Sequence, residues 1–245
     1  MPQPLPVLER RKADNIFFTT TAVMMMAIVV SGFGPTYFLK GAVFAHLPSL
    51  VVHLHGAVFS SWIFLYVIQS SLISAKNFKL HRKLGVLGGV IAGLMVVLGI
   101  LAPIGTLRRH AHIPSFFTPA DFLIGNILGI IFFGMYVAVA IWQRKNARVH
   151  KRLMFMANAS ILEPALSRFY FFWPWWRHHM YLTGVVPLGF IVVLVMYDLY
   201  SWRKPLLVTL IGGFLFWAAD PVSDMIIKTP VAQRLTVWAQ NSPGK

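Results

Sequence analysis

Apolar residues in this chain come in long unbroken runs, not in the spaced stripe of a soluble amphipathic helix. A helix needs about 20 mostly apolar residues to cross the hydrocarbon core of a bilayer. Seven runs approach that length: residues 15–39, 50–75, 84–107, 121–143, 153–172, 178–202 and 205–220. The fifth carries Glu163 and Arg168, and the seventh is short and ends at Asp220-Pro221. Six helices plus a re-entrant segment is therefore an alternative count. The runs predict an all-α polytopic membrane helical bundle of about seven transmembrane helices, forming a single integral membrane domain over residues 1–245.

Composition supports this class. The 245 residues are 57% hydrophobic and 12% charged, against about 45–50% and about 25% in soluble domains. There is no cysteine, which excludes disulfides, thiolate zinc sites, iron–sulfur clusters and covalently attached haem. The net charge of +15 sits in short loops between apolar runs, so it is read as topology control and anionic-lipid contact, not nucleic-acid binding. Fourteen of the 22 Lys and Arg fall in the N-terminal segment and the 2–3, 4–5 and 6–7 loops; seven fall on the other side, and Arg168 lies within a run. Cytoplasmic loops carry such an excess, which places the N-terminus inside and the C-terminus outside.

The chain also repeats itself. Lys76-Asn77-Phe78-Lys79-Leu80-His81-Arg82-Lys83-Leu84 and Lys145-Asn146-Ala147-Arg148-Val149-His150-Lys151-Arg152-Leu153 share four identities, and only Phe78 against Ala147 is unlike. Both copies lie on the same side, so they describe a parallel repeat of helix pairs 2–3 and 4–5. Met196 to Lys204 resembles a third, decayed copy without His. The architecture expected is one leading helix and three hairpins. Each repeated His opens a helix beside cations, where the helix dipole disfavours protonation and leaves a ligand-competent imidazole. His81 and His150 are thus candidate axial ligands of one haem iron, or a quinone site. A basic interfacial ring touching lipid phosphate is the simpler reading.

On the opposite side, His53 and His55 sit in Val52-His53-Leu54-His55-Gly56, with Gly56 admitting a close neighbour, and His178-His179 opens the sixth run. A second bis-His haem, or a copper or zinc site, is a candidate there; the alternative is structural hydrogen bonding. Glu163 is the eleventh residue of the fifth run, near the bilayer midplane, and Pro164 after it predicts a kink or polar notch. It is a candidate proton relay or polar-group binder, or else an inert protonated acid bonded to a neighbour. Arg168, five residues on, is expected to snorkel to the outer interface. The aromatic run Phe169 to Trp176, broken by Pro174 and Arg177, is read as an interfacial belt or a cofactor groove. Thr118 to Asp121 looks like a helix cap. The seventh run has no Lys for a retinal Schiff base, and two His on the inner side are too few for desaturase chemistry.

Gly32-Phe33-Gly34-Pro35-Thr36-Tyr37, His53-Leu54-His55-Gly56 with Trp62 and Gln69, Leu80 to Gly85, and His150-Lys151-Arg152-Leu153-Met154 with Arg168 together resemble a family of uncharacterised bacterial multi-spanning membrane proteins. That resemblance covers most of the chain and implies a multi-pass protein of the bacterial inner membrane, without an activity. A looser likeness is to four-helix b-type cytochromes, and rests on His placement. Three functional readings stay open: a haem-b, quinol-linked electron-transfer protein; a small-molecule or ion transporter using Glu163; and an accessory subunit of a larger membrane complex.

Overall fold

A computed structural model of the chain describes residues 4–39, 50–111 and 113–241. Every regular element among them is helical. The leading helix α1 spans Val7–Phe33 and runs on through a π-helical turn, Gly34–Phe38. Then follow α2 (Leu50–Ser74), α3 (Phe78–Arg108), α4 (Pro119–Trp142) and α5 (Ala147–Ser160). A short α6 (Glu163–Ser167) passes into a 3-10 turn, Arg168–Phe171, and one further turn, α7, covers Pro174–Arg177. The chain closes with α8 (Leu182–Trp202), α9 (Leu207–Ile227) and α10 (Pro230–Asn241).

Six of these helices are long and apolar enough to cross a membrane: α1 with its π turn, α2, α3, α4, α8 and α9. The protein is an integral, multi-pass membrane helical bundle. On α3, Val86, Val90, Leu94, Val97 and Leu101 are exposed, while Gly88, Ala92, Met95, Gly99 and Ala102 are buried. Both sets recur every three to four residues, so one face meets lipid and the other, mostly small residues, meets α2 and α4. The approach is close: a Cβ on Gly99 would lie 2.6 Å from Cγ1 of Ile130.

The hairpins α2–α3, α4–α5 and α8–α9 all turn at one end of the bundle, together with the start of α1. Ser74 bonds Thr19, Lys151 reaches Asp14, and the Leu5 N–H donates to the Ser201 carbonyl. This end carries most of the cations and is called the basic end below. The one-helix-plus-three-hairpins plan of the sequence is the plan of the fold.

The fifth apolar run departs from a single span. The expected kink in 153–172 is a break. Pro164 has no N–H to give the Ser160 carbonyl, and its ring disfavours helical backbone at the residue before it. The chain loosens at Ile161-Leu162, whose N–H groups fall back on the Asn158 and Ala159 carbonyls. Non-helical backbone at membrane depth must be covered by protein. Here Leu162 and Ala165 are fully buried, and α1 covers the segment at Gly32, where a Cβ would overlap the Ala165 carbonyl. The chain therefore crosses the bundle seven times, six of them as a continuous helix.

The seventh run also differs. Helix α9 does not stop at Asp220-Pro221 but continues to Ile227 with Pro221 inside it. Beyond it, α10 folds back so that Ala232 and Ala239 pack with Leu107, Leu123 and Ile124 at the far ends of α3 and α4.

Candidate functional site

The two sequence copies form the same local structure. Asn77 and Asn146 each cap the helix that follows, accepting from the N–H of Leu80 at 3.2 Å and of Val149 at 3.4 Å. Asn is a favoured cap because its side-chain oxygen satisfies a free N–H of the first turn. Four residues past each cap stands the histidine. The parallel repeat turns both rings toward one another: the centroids of His81 and His150 are 6.5 Å apart, with ring planes at 89°.

The surroundings of this pair are specific. Nδ1 of His150 lies 2.8 Å from the Ala140 carbonyl. Only a protonated nitrogen bonds a carbonyl, so Nδ1 carries the proton and Nε2 keeps its lone pair. Buried Nδ1 of His81 and Oε1 of Gln69 have no well-aligned hydrogen-bond partner among the described residues, though the Gln69 backbone carbonyl lies against the His81 ring. Such orphaned atoms call for a water or a ligand. Gly85 and Gly89 follow His81 by one and two turns of α3. A Cβ on Gly85 would meet nothing nearer than the Gln69 amide at 3.8 Å, and one on Gly89 nothing nearer than Ile141 at 3.7 Å. The side of α3 below His81 is therefore low, with Gln69 and Ile141 in ordinary van der Waals reach of it.

The cations beside the two histidines diverge between the copies. Arg82 and Lys83 are exposed. Their counterparts, Lys151 and Arg152, are taken into the protein. Lys151 pairs with Asp14 at 2.5 Å, which also accepts from the Tyr197 hydroxyl at 2.7 Å. Arg152 and Asp198 are both wholly buried. Arg152 Nε donates to the two Asp198 oxygens at 2.9 and 3.2 Å, its Nη2 donates to Oδ1, and Nη1 donates to the Arg148 carbonyl at 2.9 Å. Thr209 and the Leu206 N–H complete the Asp198 shell. Arg10 and Arg148 both lie over the Trp202 ring, at 4.0 and 4.3 Å. This network ties α1, α5, α8 and α9 together around the start of α5. The sequence carries no sign of the Arg152–Asp198 pairing, because ions 46 residues apart leave no periodic signal.

No known protein family, curated protein or solved structure matches this chain.

Among the described residues, three of the far-side histidines meet other groups. His53 is bonded by Tyr37, whose hydroxyl lies 3.1 Å from Nδ1 and donates to the His53 carbonyl at 3.0 Å. Tyr37 also fills the space that Gly56 leaves open, since a Cβ there would stand 2.5 Å from its ring. Two sequence motifs are thus one packing unit, and the neighbour admitted by Gly56 is a tyrosine. His55 stacks on Phe59 at 4.1 Å. His179 stacks on Trp175 at 4.1 Å and bonds its carbonyl, and His178 is exposed. His112 lies outside the described residues. No group of three or more His, Asp or Glu able to hold a metal ion occurs among the described residues.

Glu163 opens α6 and is exposed, with Asp220 of α9 as its charged neighbour. It stands thirteen positions beyond His150. At about 1.5 Å per residue that is about 20 Å, past the middle of a core about 30 Å thick. Helix α5 starts at Ala147, six residues before the run 153–172, so Glu163 lies farther from the basic end than that run implies. Arg168 lies over the Phe33 ring at 3.9 Å and donates to the Pro164 carbonyl. It does not pair with Glu163: the ion pairs among the described residues are Lys151–Asp14 and Arg152–Asp198. The aromatic run is only partly a belt, since Phe169 and Trp176 are buried in the core.

Proposed function

We propose that this is an electron-transfer protein of the bacterial inner membrane in which His81 and His150 would hold a haem b. The basic end faces the cytoplasm, as the distribution of Lys and Arg implies. The observation that carries the reading is the convergence of the two rings. Metal–imidazole bonds of about 2.0–2.1 Å place two rings that share one ion with centroids roughly 6 Å apart. The 6.5 Å separation supports the reading. A porphyrin brings four ligands of its own, so two histidines suffice, whereas a tetrahedral zinc site needs three or four protein ligands.

Each residue has a role in this scheme. The Ala140 carbonyl fixes the tautomer and orientation of His150, leaving Nε2 free to bind. Gly85 and Gly89 keep side-chain bulk off the face of α3 below His81. Gln69 offers a polar group to the same space. When bound, the haem supplies a one-electron redox centre, with quinol as the proposed donor.

Protein purified from haem-replete cells should show a Soret band, lost in both His81→Ala and His150→Ala. The pairs His53→Ala/His55→Ala and His178→Ala/His179→Ala should keep it. A colourless, iron-free wild-type sample would end the proposal.

The broken crossing favours a second reading, a transporter or small-molecule binder. Discontinuous helices at membrane depth are where such proteins place substrate sites, and Glu163 stands at this one. Uptake in proteoliposomes that is lost in Glu163→Gln would support it; an unchanged rate would remove Glu163 from it.

A further inference from the structure

The seam between α1 and α2 forms, near the basic end, a shallow surface groove lined by Lys12, Asn15, Ile16, Thr19, Thr20 and Ser74. Lys12, Asn15, Ile16 and Thr19 follow the i, i+3, i+4, i+7 spacing that shares one helix face. Oγ1 of Thr19 and Oγ of Ser74 are 3.0 Å apart and join the two walls. Exposed Lys76 follows two residues after Ser74, in a left-handed turn with φ 59°. Of the nearby acids, Asp14 is taken up by Lys151 and Tyr197. Glu9 lies one turn before Lys12, toward the chain terminus.

Polar groups on the outer surface of a spanning helix are costly where lipid tails surround them. Here they follow an order. Past Thr20 the exposed residues of this surface are mostly apolar, with Val23 and Met24 on α1 and Ile68 and Phe64 on α2, Ser71 being the polar exception. From Lys12 to Met24 is about 18 Å at helical rise. Cation, hydrogen-bonding groups and apolar surface thus succeed one another in the sequence phosphate, glycerol and ester, acyl chain.

We propose that this groove is a binding site for one anionic glycerophospholipid. Lys12 takes the headgroup phosphate. Asn15, Thr19, Thr20 and Ser74 bond the glycerol and ester oxygens, and a chain lies along Val23, Met24, Ile68 and Phe64. The site is independent of the histidine pair, and neither proposal needs the other.

Native mass spectrometry of the full chain in detergent, with phosphatidylglycerol or phosphatidylcholine added, tests this. Wild type should retain one phosphatidylglycerol in preference to phosphatidylcholine. Lys12→Gln should weaken retention about fivefold, the effect of one lysine–anionic-lipid contact. Thr20→Val, which faces outward and leaves the packing intact, should also weaken it. Lys83→Gln removes an exposed cation at the same end but outside the groove, and should change nothing. An equal fall for Lys12→Gln and Lys83→Gln would reveal general charge attraction and overturn the site. So would unchanged retention in both Lys12→Gln and Thr20→Val.

Discussion

Arg152→Met should be among the most damaging single substitutions in the protein. Arg152 is the largest wholly buried side chain, and its partner Asp198 is equally shielded. The guanidinium delivers two nitrogens to the carboxylate and a third to the Arg148 carbonyl. Without it, Asp198 keeps only the Thr209 hydroxyl and the Leu206 N–H. Removing one partner of a buried pair costs about 3–5 kcal/mol, because the other charge is left uncompensated. Removing both charges, in Arg152→Met/Asp198→Leu, should recover at least about 1 kcal/mol relative to the sum of the singles. It will not restore wild type, since Thr209 and Leu206 then lose their acceptor. Arg152→Lys should fall between, keeping the charge but not the fork geometry. Unfolding of the detergent-solubilised protein by SDS, followed by fluorescence of its eight Trp, measures all four. A cost below about 1 kcal/mol for Arg152→Met, or strict additivity in the cycle, would refute the claim that this pair locks α5 to α8 and α9.

Other substitutions probe the close approaches. Gly32→Ala should destabilise by a few kcal/mol, on the order of overpacking a core, because the Cβ meets the backbone of Ala165 and not a movable side chain. Gly34→Ala, with nothing within 4 Å of the new carbon, should be tolerated, and equal melting temperatures for the two would contradict the contact. Trp62→Phe removes the donor that satisfies Asn158 Oδ1 at 3.0 Å in the core; a loss of about 1–3 kcal/mol is expected, and the same SDS titration reads it. Tyr136→Phe frees the Gly212 carbonyl, now bonded at 2.8 Å, and should cost about 0.5–1.5 kcal/mol in the same assay.

Reading along the chain was sufficient for whatever depends on local composition. Apolar runs of membrane length, with cations between them, require helices that cross a bilayer, because unpaired backbone in hydrocarbon is too costly. The duplicated Lys-Asn…His segments announced two like hairpins, and like hairpins in parallel carry their histidines to the same end. That His81 and His150 should meet was therefore legible before any coordinates. The far-side histidines were not, because residue type alone does not distinguish a ligand from a hydrogen-bonding partner. Tyr37 claims His53, and Trp175 claims His179.

Tertiary structure decided where the chain departs from its own periodicity. A proline in an apolar run can kink a helix or break it; the covering contact at Gly32 made the break at Leu162 tenable, by burying the freed backbone. Pro221, by contrast, stays inside α9. The same holds for charge. Arg82-Lys83 and Lys151-Arg152 are nearly interchangeable as sequence, yet the first pair is exposed, while Lys151 is half-buried and Arg152 wholly buried. The difference arises because α1, α8 and α9 bring Asp14 and Asp198 to the second copy. A carboxylate can neutralise a buried cation only when the fold places it within a few ångströms, and that distance is not written in the order of residues.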